Sequence, residues 1–571
     1  MKVLFSALHF GYFRNFESVI HALAERGHHV HLAADEPDIA GGQMLAERLA
    51  ATHPAVTFGW TPGIDQEPWC AAAQKVRYAL DYVRFLDRRY DDAPKLRLRS
   101  IERTARIVRW LTAPVAGVRP GRRPVEAGLK GAERMMPRSA AMERWLANEA
   151  PDVLLLASLT YPRSTNIEQL KIARAFGVPV SACIMSWDHL SSKALLHIAP
   201  DATIVWNDVQ RREAIDLHGL PPESIAVTGA QCYDQWFLRR PDRSREEFCR
   251  AVGLPADRPF VLYVCSAMSP SPEPPEPAFV KRWVDAVRSS SDPVLRNAGI
   301  LIRPHPERLK EWRGITLDNT EHVVVAGRNP IDDEAKADYF DALFYSSAVA
   351  GVCTSVFIEA AIVGRPILTP LLPEFAIHQN GMAHFRYLRD VEGGVLRMAP
   401  SLDEHLSQLA AALAEPPGRD ERNRRFLTAF VRPAGLDRPA TPLFVDAVER
   451  LALAGSRAPE HANEAPARAR AFVERLAVSA NTGIGRWLLM DAIEDARARS
   501  ERQGEEHRRV VEQQRADYRT AKQRKREAMA QATGEERRAK EWRKWRRGLS
   551  ARKQVARLKG GVKQLIGARH Q

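Results

Sequence analysis

The chain has 571 residues, with 84 Lys and Arg against 70 Asp and Glu and a formal charge of +14. At roughly 100–200 residues per domain, this length implies about three domains, or two large ones with appendages. A hydrophobic share of 45% with 27% charged residues is ordinary for globular proteins, which excludes wholesale disorder and a membrane-embedded body.

The chain opens with an apolar run over 3–8, read as a buried strand. A helix over about 16–26, closed by Gly27, and a strand over 28–33 follow. Strand, helix and strand in that compass make one βαβ unit of a parallel sheet. Residues 75–138 carry no strand pattern and read as a helical insertion, with 17 basic and 7 acidic side chains. Alternation then resumes: a strand over 152–156, a helix over 164–175 with Gly177 behind it, and strands over 179–185, 202–206 and 225–228. A polar linker near 239–244 separates this run from a second one. There the strands are 260–264, 300–302, 322–325, 348–352 and 366–368, with helices over 276–289 and 357–363. An apolar-periodic helix over 443–454 is expected to dock back on the body. Two such runs predict an α/β protein of two Rossmann-like, doubly wound domains, an N-terminal one over 1–238 and a C-terminal one over 259–455.

Residues 456–571 change character, beginning with an Ala-, Pro- and Glu-rich linker. Within 501–571 there are 22 basic and 9 acidic residues, so the first 500 balance at 62 against 61. The stretch 501–541 has few apolar residues and no sustained heptad; it reads as a solvated helix or disordered chain, with a coiled coil the weaker alternative. Residues 542–571 hold 10 Lys and Arg, no acid, and apolar positions mostly three and four apart. That pattern fits a helix lying in an anionic membrane interface, with polyanion contact or a solubilising tail as alternatives. No secretory signal and no 18-residue uncharged run occur, and the six scattered cysteines lack metal-finger spacing. A cytoplasmic protein, peripheral at the inner membrane face, is the expectation; nucleic acid is a disfavoured partner.

Three segments carry chemistry. Arg303-Pro304-His305-Pro306 follows a predicted strand of the second domain, where ligands bind in open α/β sheets. Its prolines fix the direction of His305, and Arg303 offers a bidentate phosphate contact; a structural turn is the plainer reading. Thr354-Ser355 would cap the next helix and leave N–H groups for an anion, with Glu359 one turn deeper as a ribose acceptor. In the first domain, Ser186-Trp187-Asp188-His189 follows a strand, so Asp188 and His189 are a candidate base and its orienter, or a helix cap. His9, at the end of the first strand, is a second candidate base or a loop histidine. No D-x-D, H-E-x-x-H or P-loop pattern occurs, so no metal ligands are assigned.

The Thr-Ser start, the acidic residue four positions on and Gly364-Arg365-Pro366 resemble the donor half of GT-B glycosyltransferases. With Arg-Pro-His-Pro they are similar to CDP-glycerol glycerophosphotransferases and capsule-type sialyl- and Kdo-transferases. That resemblance implies donor-phosphate contacts from His305, Thr354 and Ser355. The segment Glu374, His378, Gln379 and Asn380 resembles a sugar-binding stretch, which points loosely to Gln379. Gly11-Tyr12-Phe13-Arg14-Asn15-Phe16 resembles the first βαβ of the acceptor domain, but Tyr12 stands where many inverting members have a catalytic histidine. The implied activity is metal-independent glycosyl transfer, without a cofactor, from a nucleotide sugar as co-substrate to a surface-polysaccharide or lipid-linked acceptor. Alternatives are a UDP-N-acetylglucosamine 2-epimerase-like enzyme and a non-catalytic polyanion-binding scaffold.

Overall fold

In the computed structural model, the short apolar runs become the strands of two wholly parallel sheets. The structure describes residues 1–454 apart from 38–40, 92, 113–118, 269–271, 273, 316, 318–320, 331 and 415–420, and beyond them 467–480, 483–494, 538–545 and 547–548. The first sheet contains β1 (Lys2–Ala7), β2 (His29–Ala34), β3 (Val56–Trp60), β4 (Val153–Leu156), β5 (Val180–Cys183), β6 (Ala202–Val205) and β7 (Ile225–Val227) in the order 3-2-1-4-5-6-7. The second contains β8 (Phe260–Val264), β9 (Gly299–Arg303), β10 (Val323–Val325), β11 (Ala348–Gly351), β12 (Ile367–Pro370) and β13 (Leu396–Ala399) in the order 10-9-8-11-12-13. Each sheet therefore reverses direction beside its first strand, between β1 and β4 and between β8 and β11. In open α/β sheets such a switch point opens a crevice at the strands' C-terminal ends. The predicted fold class is present in both halves.

Central strands were readable because helices cover both of their faces, so they are apolar without alternation; Phe260–Val264 is buried throughout. The strands the sequence reading missed, β3 and β13, are sheet edges. Val-Thr-Phe-Gly-Trp and Leu-Arg-Met-Ala are only partly buried and give no continuous apolar run.

The helix Ala440–Leu453 returns to the first domain, as expected. Phe444, Val445 and Val448 join the core around Phe5 and Phe16. Asp234 fixes the crossing by accepting from Arg432 at 2.7 Å, from the backbone N–H groups of Ala440 and Thr441 at 3.0 and 2.7 Å, and from the Thr441 hydroxyl at 2.7 Å. Gly229 lies against this crossing with φ +95°, and a Cβ there would sit 2.8 Å from that of Ala440.

The insertion is helical over Cys70–Phe85, Pro94–Arg103, Arg106–Thr112 and Arg119–Met135. A buried charge cluster holds it to the first domain. Arg77 donates to Glu133 at 2.9 and 3.1 Å and to Glu168 at 2.5 Å, and Lys171 reaches Glu133 at 2.8 Å. The helices Ala467–Ala480 and Gly483–Leu489 pack on the insertion, and Asp491 pairs with Lys75 at 2.5 Å. The first part of the expected linker and tail thus belongs to one compact unit, Met1–Ala492, and Ile493–Gln571 forms a second. Of the tail beyond, residues 538–545 and 547–548 are helical, and the remaining readings on 495–571 fall outside the described residues. No helix among the described residues is long and apolar enough to cross a membrane.

Candidate functional site

At the switch point of the second sheet, the Ser266 hydroxyl accepts from the Cys353 N–H at 3.1 Å and joins the ends of β8 and β11. Glu276 supports this joint by accepting from the Ser266 N–H at 2.7 Å and the Tyr263 hydroxyl at 3.1 Å. Burial pushes Glu276 up to about 7. Thr354 is buried and takes the Val356 N–H at 3.4 Å, while Ser355 is exposed at the start of the helix Val356–Ile362. Glu359 turns inward and takes the hydroxyl of the buried Tyr339. Burial raises it to about 7, opposed by that hydrogen bond and by the charge of Arg14 from the first domain.

Two predicted donor contacts are occupied by the protein itself. Arg303 pairs with Asp338 at 2.9 Å, donates to the Arg328 carbonyl at 3.2 Å and lies over the Tyr339 ring. Gly327 makes room for it, since a Cβ there would fall 2.6 Å from the Arg303 Cζ. Gln379 is 1% exposed, and its amide nitrogen serves the Val352 and Pro370 carbonyls and the Thr369 hydroxyl at 3.0–3.2 Å. It stitches β11 to β12 and offers its N–H groups to no sugar. His305 is better placed. It stays partly exposed beyond β9, its Nδ1 accepts the Glu307 N–H at 3.3 Å, and burial lowers it, aided by Arg308 and Arg14.

The first-domain candidates share one wall. His9 precedes the turn Phe10–Asn15, its carbonyl accepting the Tyr12 N–H at 3.1 Å, and its ring centroid lies 4.0 Å from that of Tyr12. Tyr12 is 5.6 Å from Tyr161, which is 5.7 Å from His189, all between ring centroids. The loop after β4 is set by Asp35, which accepts from the Thr165 N–H at 2.9 Å and from the Ser164 and Thr61 hydroxyls at 2.8 Å. Ser158 and Asn166 tie it to β1, with the Leu8 N–H on Ser158 at 2.7 Å and Asn166 on Ser6 at 3.1 Å.

Asp188 and His189 do not form the expected orienter-and-base pair. Asp188 accepts from the Ser186 and Ser192 hydroxyls at 2.7 and 3.0 Å and lies 3.5 Å from Lys193. Lys193, His384 and His189 hold its carboxyl far below the usual carboxylate range against the opposing effect of burial. His189 is kept neutral by burial, which lowers it to about 4. The imidazole the sequence reading missed is His384, which the fold brings from the second domain. It packs edge-on to Trp187 at 4.8 Å, feels the charge of Asp188, and is lowered to about 4 by burial. Its Nδ1 is buried without a hydrogen-bond partner.

The insertion closes this wall. Arg84 donates to the Leu190 carbonyl at 2.6 Å, Asp81 accepts the Leu195 N–H at 2.7 Å, and Arg99 donates to the Ser192 carbonyl. Lys95 crosses to the second domain and donates to Nδ1 of His378 at 2.7 Å. His378 is 3% exposed and lowered to about 4 by burial and by the charges of Lys95 and Arg308. These cations of the basic insertion thus bond inward, to both domains. Nothing in sequence spacing links Lys95, His378 and His384, because the approach of separate elements creates the contact. Among the described residues, no group of three or more His, Cys, Asp or Glu side chains is placed to hold a metal ion.

No family model and no curated protein sequence matches the chain. Solved structures similar to it in backbone include Staphylococcus aureus MnaA with UDP, at 14% identity and a TM-score of 0.46 over 80% of this chain and 98% of that one. Another is the UDP-GlcNAc 2-epimerase of Neisseria meningitidis bound to UDP-GlcNAc, at 11% identity and 0.46 over 79% and 100%. Acinetobacter baumannii MurG is similar at 13% identity and 0.39 over 79% and 99%.

Proposed function

We propose that the chain is a GT-B-type transferase that moves a sugar, or a related group such as glycerol phosphate, from a nucleotide-activated donor to a hydroxyl of a glycan or lipid-linked acceptor. The reading rests on one observation. Where both sheets open their C-terminal ends, Lys95 and Arg99, neither within ion-pair distance of a carboxylate among the described residues, stand beside the neutral imidazoles of His378 and His384. The nucleotide lies along the ends of β8, β11 and β12 near His305, Thr354, Ser355 and Glu359, and the acceptor lies against the wall of His9, Tyr12 and Tyr161. The acceptor O–H gives its proton to His384 as its oxygen bonds to the transferred group. The bond from that group to the nucleotide phosphate breaks, and the leaving charge falls among the protein's cations with no metal cofactor required. Asp188, ionised throughout the working pH range, stabilises the imidazolium.

The test is a thermal-shift screen against UDP-, GDP-, CMP- and CDP-linked compounds. One of them is expected to stabilise the folded state by about 2.7 kcal/mol at a hundredfold excess over its Kd. No shift with any of them supports the scaffold alternative, and epimerisation of a bound nucleotide sugar without acceptor supports the epimerase.

We further propose a peripheral location at an anionic inner leaflet. Residues 542–571 carry cations and apolar anchors, and the exposed Trp110 and Leu111 of the insertion, with Arg109 beside them, independently do the same. Deletion of 542–571 is expected to weaken binding to anionic vesicles by about tenfold or more, roughly the effect of removing two or more of the segment's cations from the surface. Unchanged binding removes the tail from this role.

A further inference from the structure

The insertion places Lys95 and Arg99 beyond ion-pair distance of any carboxylate among the described residues, with Asp188 and Asp81 acting on Arg99 only from further off. Lys95, on the helix Pro94–Arg103, is half-buried and donates to a neutral imidazole, not to a carboxylate. One turn further on, Arg99 is spent on a backbone carbonyl. Arg308 lies close enough to act on Lys95 and His378, but shares its own charge with Glu311 at 3.2 Å. Burial and the neighbouring Arg99 and Arg308 depress Lys95 to about 8, against a raising effect from Cys353. Like charges held together at a half-buried position oppose folding unless an anion joins them. A tetrahedral dianion would satisfy both Lys95 and Arg99 and would lie next to the end of β11, where Cys353 leads into Thr354 and Ser355.

We propose that Lys95 and Arg99 of the insertion, with His378 of the second domain, form a binding site for the phosphate groups of the donor, so that the insertion completes the donor pocket. The assignment rests on the reading that the cleft takes a phosphate-activated donor, and it adds which element supplies the cations. It explains why the second domain spends Arg303 on Asp338. It also explains why the insertion is anchored so firmly around Arg77 and along the 188–195 segment: both attachments set the reach of Lys95. The ammonium gives one N–H to Nδ1 of His378 and keeps two for a phosphate oxygen, and the neutral ring then carries its own proton on Nε2.

The experiment uses the full chain and titrates inorganic pyrophosphate, then UDP, CDP and the corresponding nucleosides, by calorimetry. Lys95→Met is expected to weaken pyrophosphate binding by about tenfold or more, the usual range for losing a charge-assisted contact. The melting temperature of its ligand-free form is expected to stay equal or to rise, because a cation without a counter-ion has gone. Lys95→Arg is expected to recover most of the affinity, which keeps the test decisive if Lys95→Met folds poorly. Nucleosides without phosphate should bind Lys95→Met and the unmodified chain alike. Equal pyrophosphate affinity in the unmodified chain and Lys95→Met, or no pyrophosphate binding at all, overturns the assignment. Nucleotide binding that ignores Lys95 overturns it while leaving the proposed function standing. Lys95-dependent pyrophosphate binding without any preference for nucleotides supports it and removes the nucleotide donor instead.

Discussion

Arg77→Met is expected to cost the protein about 3–5 kcal/mol, read as a lowered midpoint in urea or guanidinium unfolding. The side chains of Arg77, Glu133 and Glu168 are at most 2% exposed, and the guanidinium supplies both carboxylates at 2.5–3.1 Å. Methionine fills much of the volume but leaves two buried carboxylates to Lys171 alone. The cost is therefore that of unpaired buried charge, not of a lost surface contact. Arg77→Lys keeps the charge and loses the fork, so a smaller loss is expected. The sign of the pH dependence follows from Glu133. Arg77 and Lys171 hold its carboxyl down at about 2, against the opposing effect of burial. A carboxyl depressed in the folded state contributes stability that is present above its unfolded value near 4.3 and is lost as pH falls towards about 2. The unmodified chain should show this acid loss, and Arg77→Met should show much less of it. A variant of unchanged midpoint would mean that the insertion is not held by this cluster. The same variant should also weaken pyrophosphate binding, since Lys95 is carried by the element that Arg77 anchors.

Asp188→Asn is the second large effect. Turnover is expected to fall by roughly 10²–10⁴-fold, the range for removing a positioned participant in proton transfer. The amide oxygen can still accept from Ser186 or Ser192, so the turn around residues 188–192 should survive. What is lost is the negative charge that raises His384 and His189 against their burial. Donor affinity, read by thermal shift, should stay within about twofold. A fall in turnover at constant donor affinity identifies a group acting in the transition state, not one that binds substrate. Because Asp188 remains ionised well below neutral pH, the deficit should be uniform between about pH 6 and 9. Full activity in Asp188→Asn would remove the His384 mechanism. Full activity in His384→Gln with low activity in His189→Gln would transfer the role to the imidazole on the same strand end.

Much of the architecture was legible in the residues. Val3 to Ala7 and Phe260 to Val264 are buried central strands, and Gly27 and Gly177 mark where the helices after β1 and β4 end. Those signals are local, because helix termination and burial on two faces are decided within a few residues. The edges β3 and β13 were missed, since a half-covered strand pays no penalty for Thr, Gly or Arg. The docking of residues 467–480 and 483–492 on the insertion escaped for a related reason: it depends on Lys75, Arg106, Met490 and Asp491 meeting across the fold, not on a pattern along the chain.

For the site, sequence alone located the C-terminal strand ends: residues 9, 188, 305 and 354 follow β1, β5, β9 and β11, where parallel sheets open a crevice. Only tertiary structure decided which of the side chains remain available. It occupies Arg303 with Asp338 and Gln379 with three oxygens, and it turns the Asp188 carboxylate to Ser186 and Ser192 while bringing His384 towards it from 196 positions further along the chain. It also bonds Lys95 and Arg99, of a segment known only by its charge, to His378 of the second domain and to the Ser192 carbonyl. The physical reason is the same in each case. A side chain's identity fixes what it can donate, accept or carry, but its partner is set by elements distant in sequence, and only that partner determines its ionisation and its freedom to meet a substrate.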